Sequence, residues 1–231
     1  LSTGEVTFFD NEGALLLQEH NDGYAHFQPV DLEGEKAYEL KQFFHADNNE
    51  AYYGLGQHQT GLMNYRCYQV DLTQYNGVAV VPFMVSSKNY GVLWDNYSIT
   101  KFGDVRDYRP LSDLKLYGKD GNEGGLTATY AYLKGDEAPI TRSESTIDYK
   151  FLKDQKRFPE EYDLENGIVT WEGAIESDAS GSHAFSMLYS GYIKLWIDDQ
   201  LLMDTWREAW NPGPAVWKHA LEKGKKHSLK I

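Results

Sequence analysis

The sequence predicts an all-β protein built from two β-sandwich domains in series. Short runs rich in Val, Ile, Tyr, Phe and Trp recur along the chain, and Gly, Asn and Asp separate them at spacings typical of antiparallel sheets. Apolar residues at a sustained helical spacing are nearly absent. A chain of 231 residues, of which 41% are hydrophobic, is long enough for two cores of roughly 100 to 130 residues each.

The first predicted element is a β-hairpin close to the N-terminus. Glu5–Phe9 and Ala14–Gln18 read as strands on either side of the turn sequence Asp10–Gly13. Gly13 supplies the positive φ that such a turn needs. Ala37–Ala46 is predicted to be a further strand of the same domain.

A second hairpin follows from an apolar run in the middle of the first domain. Val78–Val85 is nearly all apolar and is predicted to be a buried strand, and Tyr90–Asn96 is its partner across the turn Ser86–Asn89. Because proline cannot donate to a sheet ladder, Pro82 predicts a bulge or an edge position within this strand.

A polar, glycine-rich stretch, Tyr117–Gly125, predicts the domain boundary because it cannot pack a core. The predicted domains are therefore 1–121 and 122–231. Asp198–Gln200 is predicted to be a tight turn in the second domain. The predicted strands of that domain are Leu126–Leu133, Ile168–Glu176, His183–Ser190, Tyr192–Asp198, Leu201–Trp206 and His227–Ile231.

Composition excludes several classes of partner. The formal net charge of −13, from 35 acidic and 22 basic residues, offers no basic surface for nucleic acid. Cys67 is the only cysteine, so neither an intramolecular disulfide nor a thiol metal cluster can form. The longest apolar stretch, Gly77–Val85, is far shorter than the roughly 20 residues of a membrane helix. Because the chain begins and ends within strand-like sequence, we expect a piece of a longer protein, with the second domain truncated at its C-terminus.

No catalytic motif accompanies these domains. The sequence contains no zinc-protease helix motif, no phosphate-binding glycine loop and no serine-nucleophile elbow. Two carboxylates of a glycosidase must flank a bond from opposite sides, which adjacent residues such as Glu160–Glu161 and Asp198–Asp199 rarely achieve. We therefore predict loops or turns at these pairs, no catalytic residue, no metal ligand and no cofactor.

Tryptophans near the C-terminus form the one candidate ligand surface that composition suggests. Trp206, Trp210 and Trp217 lie close to Asn211–Pro214, where prolines disfavour a core strand. Flat indole faces stack on the apolar faces of sugar rings, so Trp206 and Trp210 are candidates for a carbohydrate platform. Large aromatic residues also serve as core or interface residues, and that alternative stays open.

Two motifs in the first domain carry a family resemblance. Tyr52–Gln57 (YYGLGQ) and Val81–Asn96 (VPFMVSSKNYGVLWDN) resemble, in order and spacing, the N-terminal β-sandwich of glycoside hydrolase family 31. Gly54 and Gly56 are predicted to allow a tight chain reversal. The resemblance implies that these motifs are structural and not catalytic.

The resemblance also implies a substrate-binding segment between the two motifs. In that family a loop at this point reaches into the active site of the catalytic barrel and helps to hold the nonreducing-end sugar. The corresponding segment here is Val70–Gly77, which gives Asp71 as the first candidate and Gln74 and Asn76 as further ones. A carboxylate can accept two hydrogen bonds from sugar hydroxyls. The alternative is that Asp71 only caps the loop.

The second domain resembles a protective-antigen-type module, a β-sandwich often assigned to carbohydrate binding. Gly125–Tyr130 resembles its opening strand and Tyr192–Trp206 its central hairpin. Asp199 replaces the usual glycine of the hairpin turn. Calcium-dependent members of that family use a particular pair of aspartates, and Asp198–Asp199 does not map onto the pair, so metal binding is not implied.

Together these features are similar to α-xylosidases that act on xyloglucan fragments. The resemblance implies a secreted, periplasmic or cell-surface retaining glycosidase, whose partners are an oligosaccharide or polysaccharide substrate and its own C-terminal (β/α)₈ barrel. That barrel would carry both catalytic aspartates. The alternatives are an α-glucosidase of the same family and a free-standing, lectin-like sugar-binding protein. A third possibility is a second domain that only spaces or orients the barrel.

Overall fold

The regular secondary structure of the chain is almost entirely β-strand, which confirms the predicted all-β class. The structure is a computed structural model that describes residues 5–20, 26–149, 157–163 and 166–231. The one 3₁₀ helix whose residues are all described is Leu111–Asp113, and no described helix is long and apolar enough to cross a bilayer. Contacts divide the chain into two compact units, Leu1–Val105 and Arg106–Ile231.

The first unit contains short antiparallel sheets. β1 pairs with β2, β3 with β4 and β6 with β9, while β5, β7 and β8 form a three-stranded sheet. The predicted β1–β2 and β7–β8 hairpins are confirmed. The strands are β1 Thr7–Phe9, β2 Leu15–Gln18, β3 His26–Leu32, β4 Glu35–Lys41, β5 Tyr52–Gln57, β6 Val70–Leu72, β7 Ala79–Ser86, β8 Gly91–Leu93 and β9 Thr100–Phe102.

A bulge lies where proline predicts one. Gly54 pairs with Met84 and Gly56 with Val80, so three residues of β7, centred on Pro82, face one residue of β5. Gly56 has a φ of 99°, and a Cβ at this position would lie 2.0 Å from a backbone oxygen of β7. The two glycines of the YYGLGQ motif therefore permit a bulged strand and not the predicted chain reversal.

The turn of the second hairpin is held by a buried carboxylate. The hydroxyl groups of Ser86 and Tyr90 both donate to Glu50, and the ammonium group of Lys88 lies 3.6 Å from its other oxygen. Burial would raise the pKa of Glu50, but these hydrogen bonds outweigh it and lower the pKa below its ordinary value. Asn89 closes the turn with a φ of 64°.

Strand β7 is buried on one face only, in contrast to the prediction of a fully buried strand. Met84 points into the first core, whereas Val81, Phe83 and Val85 are exposed. Burial alternates along the strand, although apolar side chains occupy both of its faces. An unbroken apolar run therefore does not show which face is buried. The buried core of this unit consists of Leu55, Tyr65, Val70, Leu72 and Met84.

The second unit is a sandwich of a seven-stranded and a two-stranded sheet. The larger sheet has the order β12-β11-β13-β18-β15-β16, with β10 also paired to β13, and the smaller sheet joins β14 to β17. The strands are β10 Lys115–Gly118, β11 Leu126–Tyr132, β12 Ile140–Glu144, β13 Gly167–Glu176, β14 Gly181–Tyr189, β15 Gly191–Ile197, β16 Gln200–Arg207, β17 Gly213–Leu221 and β18 Lys226–Lys230.

The core of the second unit lies between its two sheets. Phe185 of β14 and Trp217 of β17 stack with ring centroids 5.4 Å apart and pack against the buried residues of the larger sheet. Each fully buried Leu or Ile side chain contributes roughly 1.5 to 3 kcal/mol. The buried cluster comprises Leu116, Leu126, Ile175, Leu195, Ile197, Leu221 and Leu229.

The glycine-rich segment predicted as the domain boundary lies inside the second unit. β10 and β11 pair with successive halves of β13, and residues 119–125 loop out between them. The loop is held by hydrogen bonds from Gly118 N to Asn122 O (2.9 Å) and from Gly124 N to Leu116 O (2.9 Å). The division between Val105 and Arg106 therefore lies earlier in the chain than the predicted boundary at residue 121.

Strand β17 contradicts the expectation that prolines keep this region out of the sheets. Pro214 pairs with Leu188 and Trp217 with Phe185 in the β14–β17 ladder. Among the described strands β17 pairs with β14 alone, so it is an edge strand, the position in a sheet where proline is tolerated. Trp217 packs against the core and Trp206 lies on strand β16, so only Trp210 of the three predicted loop tryptophans lies in the loop.

Candidate carbohydrate-binding surfaces

Asp71 is presented to solvent by the alternation of strand β6. Val70 and Leu72 on either side are buried in the first core, so the Asp71 side chain points outward, opposite Lys101 of β9. Among the described residues, no hydrogen bond or ion pair engages this carboxylate. Asp71 therefore lies on a strand and does not cap the loop, and both of its oxygens are available to a ligand.

The side-chain amide of Gln74 forms hydrogen bonds with backbone groups that follow it in the chain. Its Nε2 donates to the carbonyl of Val78, and its Oε1 accepts the N–H of Val80 at 2.9 Å. These bonds pin the loop to the start of β7. Gln74 is therefore a positioning residue for the segment and has no free polar end while the loop stays folded.

Asn76 lies at the tip of the same loop. The N–H of Val78 donates to Tyr75 O at 3.1 Å, which closes a β-turn with Asn76 and Gly77 at its centre. Gly77 has a φ of 88°, as the third position of a type II turn requires. The Asn76 side chain is exposed, so the loop presents Asp71 at its base and Asn76 at its tip.

A second candidate surface lies on the outer face of the β15–β16 hairpin. Tyr192 and Trp206 are directly opposite each other in the ladder and are 66% and 60% exposed. Side chains of such a pair lie about 4.5 to 5.5 Å apart at Cβ. The two aromatic side chains thus lie next to each other on the outer face of the strand pair, and we call them the Tyr192–Trp206 platform.

Polar groups accompany this platform. Asp204 accepts a hydrogen bond from the Tyr192 hydroxyl at 2.7 Å and pairs with the ammonium group of Lys194 at 3.0 Å. These two contacts lower the pKa of Asp204, so its carboxylate stays ionised near neutral pH. Ring faces for sugar CH groups, together with a carboxylate and an ammonium group for hydroxyls, are the components of a carbohydrate site.

Trp210 lies in the loop between β16 and β17 and is 80% exposed. A turn closed by Asn211 N and Glu208 O, 3.0 Å apart, and a hydrogen bond from Arg207 to the Asn211 carbonyl hold this loop. Of the two predicted platform residues, Trp206 therefore lies on a strand and Trp210 on a loop that follows it.

Sequence reasoning missed Tyr192, although a signal was present. In β15, Ile193, Leu195 and Ile197 point inward, so the alternating residues Tyr192 and Lys194 must point outward. The predicted hairpin Tyr192–Trp206 then places the two aromatic residues at its open end. Pairing the two ends of the hairpin would have identified the platform.

A cleft of about 720 Å³ on the same outer face is occupied by ion pairs. Glu172 bonds Lys119 at 2.8 Å and Lys230 at 3.1 Å across its floor. Lys226 covers the Tyr117 ring, with its ammonium group 3.5 Å from the ring centroid. The cleft offers a charged network, and its two aromatic rings, Tyr117 and Trp196, each lie beneath a lysine ammonium group. Both residues of the Tyr192–Trp206 platform are more than half exposed, so the platform is the better sugar candidate.

Glu144 is the most heavily bonded carboxylate of the second unit. It accepts hydrogen bonds from Trp171 Nε1 at 2.7 Å, from Tyr149 Oη at 2.8 Å, from Arg142 Nε at 2.5 Å and from Tyr130 Oη. Burial would raise the pKa of Glu144, but these donors outweigh burial and lower it. With every oxygen occupied, Glu144 stabilises the unit and is not placed to act as an acid or base.

Asp198 and Asp199 form the turn of the β15–β16 hairpin, as predicted. Their φ angles of 50° and 61° are those of a type I′ turn. Asp198 Oδ1 accepts the N–H of Ser228 at 3.0 Å, and Oδ2 accepts Nδ1–H of His227 at 2.6 Å. Asp198 and Asp199 therefore do not place two carboxylates on opposite sides of a glycosidic bond.

The described residues form two all-β units built of antiparallel sheets, with aromatic and acidic side chains that face solvent. Residues 1–102 match the glycosyl hydrolase 31 N-terminal galactose mutarotase-like domain, and residues 118–231 match the PA14 domain. The first part of the chain is thus similar to the first of these domains, and the second part is similar to the second.

The relatives include named α-xylosidases. The crystal structure of the GH31 alpha-xylosidase from Xanthomonas citri superposes with a TM-score of 0.84 at 41% identity, over 98% of this chain and 25% of that one. An alpha-xylosidase of Saccharolobus solfataricus is 36% identical over 107 residues, covering 42% of this chain and 14% of its own length. An uncharacterized family 31 glucosidase of Pseudescherichia vulneris is 32% identical over 117 residues, covering 42% of this chain and 22% of its own length.

Proposed function

We propose that the chain is the non-catalytic N-terminal region of a retaining α-glycosidase, an α-xylosidase that acts on xyloglucan oligosaccharides. The observation that carries this proposal is the 41% identity to the Xanthomonas citri alpha-xylosidase across 98% of the chain. The chain covers 25% of that protein, and its matches cover 14% and 22% of the length of the other two relatives. Hydrolysis is therefore assigned to the longer protein and not to these 231 residues.

The chain alone should not hydrolyse a glycoside. A retaining mechanism needs two carboxyl groups about 5 to 5.5 Å apart on opposite sides of the scissile bond. The buried carboxylates Glu50 and Glu144 are occupied by protein donors. We expect the purified chain to release no more nitrophenol from an aryl α-xyloside than a buffer blank, and turnover above the blank by a contaminant-free preparation would refute this assignment.

The first unit would contribute Asp71 to substrate binding. Its carboxylate is exposed and uncommitted, and Gln74 holds the loop beside it. That this loop reaches into an active site is inferred from the family resemblance and not from the geometry of this chain. In the longer enzyme, Asp71→Asn should weaken kcat/KM on a xyloglucan oligosaccharide while leaving the melting temperature unchanged.

The second unit would bind a glycan on the Tyr192–Trp206 platform, with Trp210 beside it. An open surface with one or two stacked rings supports a Kd of roughly 0.1 to 10 mM, equivalent to about 3 to 5 kcal/mol. Titration of xyloglucan oligosaccharides into the chain, followed by NMR shifts, should show saturation that weakens in Trp206→Ala and Tyr192→Ala. Tyr38→Ala is the matched control, because Tyr38 is a 69% exposed aromatic residue of the first unit.

An α-glucosidase is the second candidate activity, and the Pseudescherichia vulneris relative favours it. Comparing kcat/KM of the longer enzyme on aryl α-xyloside and aryl α-glucoside separates the two. A higher value on the xyloside supports the first candidate. If the chain binds no oligosaccharide, the second unit acts as a spacer, and only the binding part of the proposal fails.

A further inference from the structure

A group of metal-ligating side chains converges where the β15–β16 turn meets β17 and β18. Asp198, His219 and His227 each offer one ligand atom, and these atoms lie within 4.8 Å of one another. His227 is 97% buried and His219 is 15% exposed, while Asp198 is partly open to solvent. The three residues come from distant points of the sequence, so only the folded sandwich brings them together.

The Asp198 carboxylate is oriented toward the two imidazoles. Its Oδ1 accepts the backbone N–H of Ser228 at 3.0 Å, and its own N–H donates to Ser228 O at 3.0 Å. This fixes Oδ2 at 2.6 Å from His227 Nδ1 and 3.7 Å from His219 Nε2. The second distance exceeds a hydrogen bond, so His219 faces the carboxylate without bonding it.

We propose that Asp198, His219 and His227 bind a divalent transition-metal ion, with Zn²⁺ as the representative. Two imidazoles and one carboxylate are a ligand set suited to Zn²⁺ and its neighbours and poorly suited to Mg²⁺ or Ca²⁺. Tetrahedral bonds of about 2.0 to 2.1 Å place ligand atoms roughly 3.4 Å apart. The two Asp198 separations lie on either side of this value, so side-chain shifts of about 1 Å or less complete the site.

Binding requires a change of tautomer at His227. In the metal-free chain Nε2 accepts the N–H of Glu222 at 3.1 Å, so the ring proton is on Nδ1, facing Asp198. A metal on Nδ1 moves that proton to Nε2, and the Glu222 N–H loses its acceptor. The loss of this hydrogen bond weakens binding by roughly five- to 150-fold relative to the same three ligands without a tautomer change.

The test is a titration of the chelator-treated chain with Zn²⁺, followed by calorimetry, and with Co²⁺, followed by visible absorption. We expect one ion per chain, no binding of Mg²⁺ or Ca²⁺, and at least a tenfold loss of affinity in His219→Gln and Asp198→Asn. His183→Gln is the matched control, because His183 lies opposite His219 on β14 and bonds Ser177 instead, and it should leave the affinity unchanged.

Two outcomes overturn the proposal: no saturable binding up to about 1 mM Zn²⁺, or binding that survives equally in both variants. If a variant fails to fold by circular dichroism, NMR of ¹⁵N-labelled histidine in the unaltered chain decides. Zn²⁺ must then shift the ring nitrogens of His219 and His227 and leave those of His183 in place. Shifts confined to other histidines also overturn the site.

Discussion

Replacing Glu144 with glutamine should destabilise the second unit severely, although the two side chains have nearly the same shape. Each carboxylate oxygen serves two donors: Oε1 serves Tyr130 and Arg142, and Oε2 serves Tyr149 and Trp171. The amide oxygen of glutamine can replace one of these oxygens, while its NH₂ group must face two donors. At about 1.5 to 3 kcal/mol for each hydrogen bond to a charge, the loss is about 3 to 5 kcal/mol.

The assay is urea unfolding followed by tryptophan fluorescence. Trp94 is the only one of the six tryptophans outside the second unit, so the signal reports mainly on that unit. Glu172→Gln is the control, because Glu172 makes solvent-exposed pairs with Lys119 and Lys230 and should cost less than about 1 kcal/mol. A loss below about 1 kcal/mol for Glu144→Gln would refute the claim that these four bonds act as a buried network.

Three further predictions follow from single features. The pKa of Glu144 is lowered in the folded chain, so the unfolded chain binds this proton more tightly. The free energy of unfolding should therefore fall as the pH drops from about 4.5 toward the folded pKa. A pH series of urea titrations should show less of this fall in Glu144→Gln. Gly173→Ala should cost about 1 to 3 kcal/mol in the same assay, because its Cβ would lie 1.9 Å from the carbonyl oxygen of Tyr117. Asp71→Asn in the longer enzyme should lower kcat/KM roughly ten- to 150-fold without a change in melting temperature, and an unchanged kcat/KM would remove Asp71 from the site.

The sequence predicted best those strands whose residues alternate and whose turns are short. β15 and β16 alternate inward and outward residues around Asp198–Asp199, and the predicted ends lie within one residue of the observed ones. In such hairpins local turn chemistry and side-chain alternation favour the same register. The bulge in β7 was also predicted from local chemistry, because Pro82 cannot donate a hydrogen bond to the ladder.

Prediction failed where tertiary pairing outweighs local signals. β17 contains Pro214, and its place at the edge of the described two-stranded sheet makes that residue compatible with a strand. The Asp198 site could not be predicted, because His219 and His227 approach the turn through the packing of separate strands. The role of Gln74 was also hidden, since its bonds run to backbone groups and not to side chains.

The linker between the two units can be located by limited proteolysis. The glycine-rich loop contains Lys119, whose N–H donates to Thr127 Oγ1 at 2.9 Å and whose ammonium group pairs with Glu172. Trypsin needs the chain around the cleaved bond to leave the fold, which this loop cannot do without loss of β10 and β11 from the sheet. The first cut should therefore fall at Arg106, near the division between the units, because the Arg109–Pro110 bond resists trypsin. Mass spectrometry of the early fragments identifies the site, and the variant Arg106→Gln should slow the first cut at least tenfold. A first cut at Lys119 in the unaltered chain would instead show that the loop opens freely and that the boundary lies near residue 121.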